Sequence, residues 1–317
     1  MPTPLESIEQ ALAAIRADRE SGATQLAACA LELLGRSCAL SQADSSEALL
    51  SRMAALARRI RALRPSMAAS GNWATAFMLD LRQRLAASPP SPQEAGREAA
   101  EALLARLRGL PAQLAQAARP ILAGKCALLT LSYSSTVEAV LLQAAPADCL
   151  LIVAESRPLY EGRKLLRRLM EAGRPVRCVT DAQIALAMGE ADLLLLGADT
   201  VCRDAAAVNK AGSRLAALAA HSLGKPCAVL ADTFKVSGEI SAAEAMLEEG
   251  EGREVWEEEA GICRNVYFEP VPADLITFYV TEKGVLPQRE IHQEAERWRR
   301  LAAEAGEIGQ VPRRSSH

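Results

Sequence analysis

The sequence predicts an α/β protein: an all-helical first domain, then a parallel sheet wound with helices. Three observations carry that expectation. Residues 1 to about 118 are rich in Ala, Leu, Arg and Glu, and their apolar positions recur at helical spacing, as in Leu5, Ile8, Leu12 and Ile15. From Lys125 onward, short apolar runs alternate with helical patterns, the texture of βαβ units. Finally, the run Leu193-Leu-Leu-Leu-Gly-Ala-Asp-Thr200 reads as a fully buried strand that delivers one carboxylate to its carboxyl end.

In the first domain, Leu26 through Leu34 repeats the amphipathic pattern. Ser88-Pro-Pro-Ser-Pro92 breaks it, and Gln93 to Ala118 resumes it. Roughly five or six helices are expected, with no heptad sustained long enough for a coiled coil. The expected domains are 1–118, helical; 119–300, α/β; and a disordered tail over 301–317. Strands are expected at Cys126–Leu131, Leu150–Ala154, Val176–Thr180, Leu193–Leu196, Cys227–Leu230 and Val266–Phe268. Helices are expected between them at Thr136–Gln143, Arg157–Ala172, Ala182–Met188 and Ala211–His221.

Composition excludes several functions. A net charge of −3 argues against a nucleic-acid surface, and 3% aromatic residues against base-stacking platforms. Eight cysteines without a C-x-x-C pair read as reduced, buried thiols of a cytoplasmic protein. With only three histidines, a metal site is not expected. The first 25 residues lack the pattern of a signal peptide, and no apolar run is long enough to cross a bilayer. No G-x-G-x-x-G follows the first strand, so no dinucleotide cofactor is expected. The acidic stretch Glu248–Glu259 around Trp256 reads as a solvated loop or helix face.

In an open parallel sheet, ligands sit beyond the carboxyl ends of the strands, so the residues there are candidates. After the first strand, Ser134, Ser135 and Thr136 offer hydroxyls and N–H groups at a helix N-terminus. They suit a phosphate or a simple cap equally well. After the second strand, Ser156 and Pro158 suit the start of a helix, and Arg157 could fork onto an anion. Asp199 follows the leucine run. Asn209 and Lys210 are expected to open the next helix as an anion cradle. The fifth strand ends in Ala231-Asp-Thr-Phe-Lys235, placing Lys235 at the same rim. One acid beside basic and hydroxyl groups fits a phosphorylated small molecule.

Taken together, seven segments resemble one superfamily: Ser132-Tyr-Ser-Ser-Thr136, Glu155 through Arg163, Thr180-Asp-Ala-Gln183, Gly197-Ala-Asp-Thr200, Asn209-Lys-Ala-Gly212, Ala231 through Lys235 and Thr281-Glu-Lys-Gly-Val285. The superfamily joins the alpha, beta and delta regulatory subunits of eukaryotic initiation factor 2B with methylthioribose-1-phosphate isomerase and ribose-1,5-bisphosphate isomerase. The resemblance runs from about Asp18 to Val285. It implies a helical N-terminal domain, a Rossmann-like second domain and a homodimer. It also implies catalytic roles for an aspartate, present as Asp199, and for a cysteine whose position Ser132 occupies. Ligand contacts are implied at Gly22, Ala23, Arg64, Ser134, Ser135, Thr136, Asn209, Lys210 and Lys235; the arginine expected in the N-terminal phosphate segment is Ser21. With serine in place of the thiol, the chain resembles the regulatory subunits, which implies binding of a sugar phosphate or nucleoside monophosphate with weak turnover or none. The alternative is an aldose–ketose isomerase acting on ribose 1,5-bisphosphate or a related pentose 1-phosphate.

Overall fold

The computed structural model describes residues 4–18, 21–64, 67–87, 89 and 91–308. The chain divides into two compact units, 1–108 with 296–317, and 109–295. The first is helical: α1 (Pro4–Ala17), α2 (Ala23–Ala39), α3 (Ser46–Leu63), α4 (Ala68–Ala86) and the start of α5 (Pro92–Leu122). Ser45 Oγ accepts from Ala48 N at 3.1 Å and starts α3 by satisfying one of its orphan donors. Leu26, Leu31, Leu34, Leu49, Ile60, Trp73, Phe77 and Leu81 lie on the buried faces of these helices and belong to this unit's core.

The second unit holds a seven-stranded sheet in the order β10-β9-β7-β4-β1-β2-β3. Its strands are β1 (Ala127–Leu131), β2 (Leu150–Ala154), β3 (Val176–Val179), β4 (Leu193–Gly197), β7 (Cys227–Leu230), β9 (Phe278–Thr281) and β10 (Gly284–Leu286). All neighbours are parallel except the β9–β10 hairpin. α6 (Ser135–Gln143), α7 (Glu161–Glu171), α8 (Ile184–Glu190) and α9 (Ser213–Ser222) link the strands. β1 and β4 are buried along their whole length, as their unbroken apolar runs require. Strand order reverses at β1: β2 and β3 lie on one side, β4, β7 and β9 on the other. In open α/β sheets such a reversal marks where ligands bind, here beyond the carboxyl ends of β1 and β4.

Several expectations change. A second sheet, β5 (Thr200–Val201), β6 (Ala207–Lys210) and β8 (Phe268–Val271), is antiparallel throughout. Asn209 and Lys210 therefore end a strand and do not open a helix, because β6 is paired on both sides; α9 starts at Ser213. The strand expected at 266–268 lies at Phe268–Val271, and β9 and β10 were not expected. The last helix, α10 (Gln288–Glu307), runs into the expected tail because Ile291, Ala295 and Trp298 keep a buried stripe; residues 309–317 lie outside the described residues. All eight cysteines are free thiols, but Cys126 and Cys178 are exposed. Burial pushes Cys38, Cys202 and Cys227 up to about 12, which makes these three inert as nucleophiles. Among the described residues, no helix is long and apolar enough to cross a membrane.

Candidate functional site

At the end of β1 the backbone turns sharply: Ser132 is buried with φ of 61°. This left-handed turn swings the chain into α6, whose N-cap is Ser134. Ser134 Oγ accepts from Val137 N at 3.4 Å, a long bond that makes the capping role real but weak. Ser135 is exposed in the first turn and Thr136 is buried beside it. Tyr133 lies next to them, with Lys164 Nζ 4.0 Å from its ring centroid. Burial, together with its bond to Glu138, raises the Tyr133 phenol to about 12, so it is a neutral donor at physiological pH.

β4 ends at Gly197, where an added side chain would be tight. A Cβ on Gly197 would stand 2.9 Å from Ser134 Oγ, 3.0 Å from Ser134 Cβ and 3.6 Å from Asn209 Oδ1. The ends of β1, β4 and β6 thus meet at one point, with a hydroxyl and an amide against bare backbone. Asn209 Nδ2 donates to Ser213 Oγ at 2.8 Å, and Ser213 Oγ donates to the Lys210 carbonyl at 2.6 Å. This relay fixes the amide with its oxygen toward Gly197. Asp199 is half-buried and begins the β5–β6 hairpin, its N–H donating to the Val208 carbonyl at 2.9 Å.

Beyond β7, Asp232 is buried with Lys235. Burial raises the Asp232 carboxyl, Lys235 opposes that rise, and Glu282 adds to it. Glu282 accepts from Thr233 N at 2.9 Å and from the Thr233 hydroxyl. Val236 bridges Val201, and Ser237 N donates to the Val201 carbonyl at 2.8 Å, so the Lys235 turn adjoins the hairpin that carries Asp199.

Two sites read from the sequence as anion seats are already filled. Gly212 N and Arg214 N, at the start of α9, donate to Glu269 Oε1 at 2.6 and 3.0 Å. Lys210 Nζ lies 2.5 Å from Glu161 Oε1. The expected cradle at 208–212 is therefore occupied by the protein's own carboxylates. Arg157 is engaged too, through Tyr160 Oη and the Val255 carbonyl, both at 2.8 Å. Asp181 takes the N–H groups of Ser156 and Arg157 at 2.9 and 2.7 Å and fixes the end of β2.

Gly22, Ala23 and Arg64 belong to the helical unit. Gly22 is the N-cap of α2, Ala23 its buried first residue, and Arg64 the buried C-cap of α3. The grouping at Gly197 is built from the α/β unit alone. Sequence reasoning missed Glu161, Glu269 and Glu282. Glu161 sat inside a quoted segment, whereas nothing local marks Glu269 as the partner of a helix 55 residues away. Among the described residues, no group of three or more His, Cys, Asp or Glu side chains could hold a metal ion.

Comparison with known proteins gives a consistent result. The model of the initiation factor 2 subunit family matches residues 19–288. The eIF-2B subunit 2-like protein of Pyrococcus furiosus is 31% identical over 74% of this chain and 82% of its own length. A ribose 1,5-bisphosphate isomerase of Haloferax volcanii is 27% identical over 85% of each chain. The crystal structure of the Pyrococcus horikoshii translation initiation factor eIF-2B superimposes with a TM-score of 0.76 at 27% identity, covering 92% of this chain and all of that one.

Proposed function

This chain belongs to the initiation factor 2 subunit family, and from that premise we propose that it is a ligand-binding member. In this reading it seats a sugar phosphate or nucleoside monophosphate where β1 and β4 diverge. The phosphate lies at the first turn of α6, on the hydroxyls and N–H groups of Ser134, Ser135 and Thr136. Asn209 and Asp199 accept from ligand hydroxyls, and Lys235 supplies positive potential from behind. The observation that carries the reading is the close approach at Gly197, where Ser134 and Asn209 flank a backbone with no side chain of its own. The same reading places the chain in the cytoplasm as a homodimer.

Turnover is not expected. Moving a proton between adjacent sugar carbons needs a base, and Ser132 offers a hydroxyl far less acidic than a thiol of pKa about 8.5. A missing general base costs about 10²–10⁴-fold in rate. The isomerase alternative draws its support from relatives named as ribose 1,5-bisphosphate isomerases.

Calorimetry with AMP and ribose 5-phosphate is expected to give saturable binding. NMR of the protein with ribose 1,5-bisphosphate is expected to show no ketose above the uncatalysed background. Ketose formation abolished by Asp199→Asn would establish the isomerase reading instead. A second expectation concerns the glycine. Gly197→Ala forces Ser134 away from its place and should weaken ribose 5-phosphate binding by about tenfold or more, with a smaller effect on the thermal midpoint. Undiminished affinity in that variant would put the ligand elsewhere.

A further inference from the structure

The segment from Met246 to Arg264 carries large apolar side chains that the fold leaves uncovered. Trp256 is 51% exposed and Ile262 76%, whereas the other two tryptophans, Trp73 and Trp298, are buried. The segment is nonetheless built as a fixed knob. Trp256 N donates to the Gly252 carbonyl at 3.1 Å and Cys263 N to the Ala260 carbonyl at 3.2 Å. Gly252 lies against the Ala260 carbonyl with no room for a side chain. Asn265 Nδ2 donates to the Glu251 carbonyl at 3.1 Å and to Glu254 Oε2 at 2.7 Å, and the Tyr267 hydroxyl donates to the same oxygen. Glu257, Glu258 and Glu259 follow Trp256, are exposed, and have no ion-pair partner among the described residues.

A surface of opposite charge adjoins this knob. Arg157 donates through Nη2 to the Val255 carbonyl and through Nη1 to the hydroxyl of Tyr160, the N-cap of α7, both at 2.8 Å. Trp256 is thus one arginine side chain away from the start of α7. On that helix Lys164, Arg167 and Met170 are exposed at three-residue spacing, so they share one face, beginning about 6 Å along the axis from the cap. Lys164 rests on the Tyr133 ring, and neither it nor Arg167 pairs with a carboxylate among the described residues. An acidic apolar patch beside a basic apolar one is complementary to itself. A two-fold axis between them sets the knob of each copy on α7 of the other, with acid against base twice and Met170 against the exposed Trp256 and Ile262. A foreign partner would need both signs in the same layout, which a second copy already has. We infer that this knob and the exposed face of α7 form the interface between two copies of the chain. The inference rests on the homodimer of the proposed reading and adds which surface makes it.

Sedimentation equilibrium on the full chain is the test. The original chain should be a dimer whose dissociation constant rises with salt, because the paired charges are exposed. Glu257→Lys, Glu258→Lys and Glu259→Lys together should raise that constant by about 100-fold, and Lys164→Glu with Arg167→Glu by about tenfold. All five substitutions in one chain should bring it back to within about fivefold of the original, since each patch again faces its opposite. Trp256→Ala should weaken the dimer by about tenfold, and acrylamide quenching of tryptophan fluorescence should fall as the original chain is concentrated. The substituted side chains are exposed, and circular dichroism checks that each variant folds. A dimer that neither reversal weakens, or one that both reversals break and the combination fails to restore, overturns the inference and leaves the homodimer standing. A chain that stays monomeric at about 100 μM removes the homodimer and the inference together.

Discussion

Replacing Gly162 with alanine is expected to destabilise the α/β unit by about 3 kcal/mol or more, lowering its thermal midpoint by roughly 6–12 °C. Gly162 is the second residue of α7, and its N–H donates to the Glu155 carbonyl at 3.2 Å. A Cβ there would stand 2.0 Å from the Ala154 carbonyl oxygen and 3.0 Å from both Ala154 C and Glu155 Cα. Those atoms are backbone at the end of β2, and no rotamer change can move them aside. Either the helix lifts off the strand or the strand end shifts, and both disturb Glu161 and the fixed turn at Ser156. Thermal unfolding followed by circular dichroism measures the cost. A midpoint within 2 °C of the original chain would mean that the helix start adapts, and that this contact does not anchor α7.

Lys235→Met is expected to be nearly as costly, and its signature is a dependence on pH. Lys235 is the cation that opposes the rise of the buried Asp232 carboxyl, with Glu282 nearby adding to the rise. Removing the cation leaves a buried acid beside a like charge, which costs about 3 kcal/mol when both are ionised. The sign follows from linkage. Asp232 holds its proton more tightly folded than unfolded, so its contribution to stability is greatest below the ordinary carboxylate range. That contribution is lost as pH rises from the ordinary value to the raised folded one. The substitution raises the folded value further and extends the window upward. The deficit of Lys235→Met relative to the original chain should therefore be largest at pH 7 and shrink as pH falls toward 4. Equal deficits at pH 7 and pH 5 would show that the loss is one of packing and not of charge.

The parts of the fold written as uninterrupted apolar runs were legible in the sequence. β1, β2, β4 and β7 are such runs, and burial on both faces explains why. The hairpin of β5 and β6 was not legible, since two residues of strand, a turn through Arg203 to Ala205 and four more residues carry no alternation to read. Its strand character comes from pairing with β8, some sixty residues later. The candidate site divides the same way. Ser134 and Asn209 could be named from the sequence, Asn209 as the opening of a helix where the structure has a strand end, and both lie against Gly197. The ion pair of Lys210 could not, because its partner Glu161 belongs to another strand–helix unit. The cap on α9 likewise depends on Glu269 in β8.

That dependence on β8 has a consequence for how the protein is made. The sheet formed by β1 to β4 and β7 can assemble once residue 230 has left the ribosome. β6 pairs through Ala207–Val271 to Lys210–Phe268, so the strand that carries Asn209 is held on only one side until residue 271 is synthesised. A nascent chain halted near residue 240 would possess much of its parallel sheet while β6 lacked its partner β8. A polypeptide cut short between these points should carry a formed parallel sheet beside a hairpin strand with one edge still open.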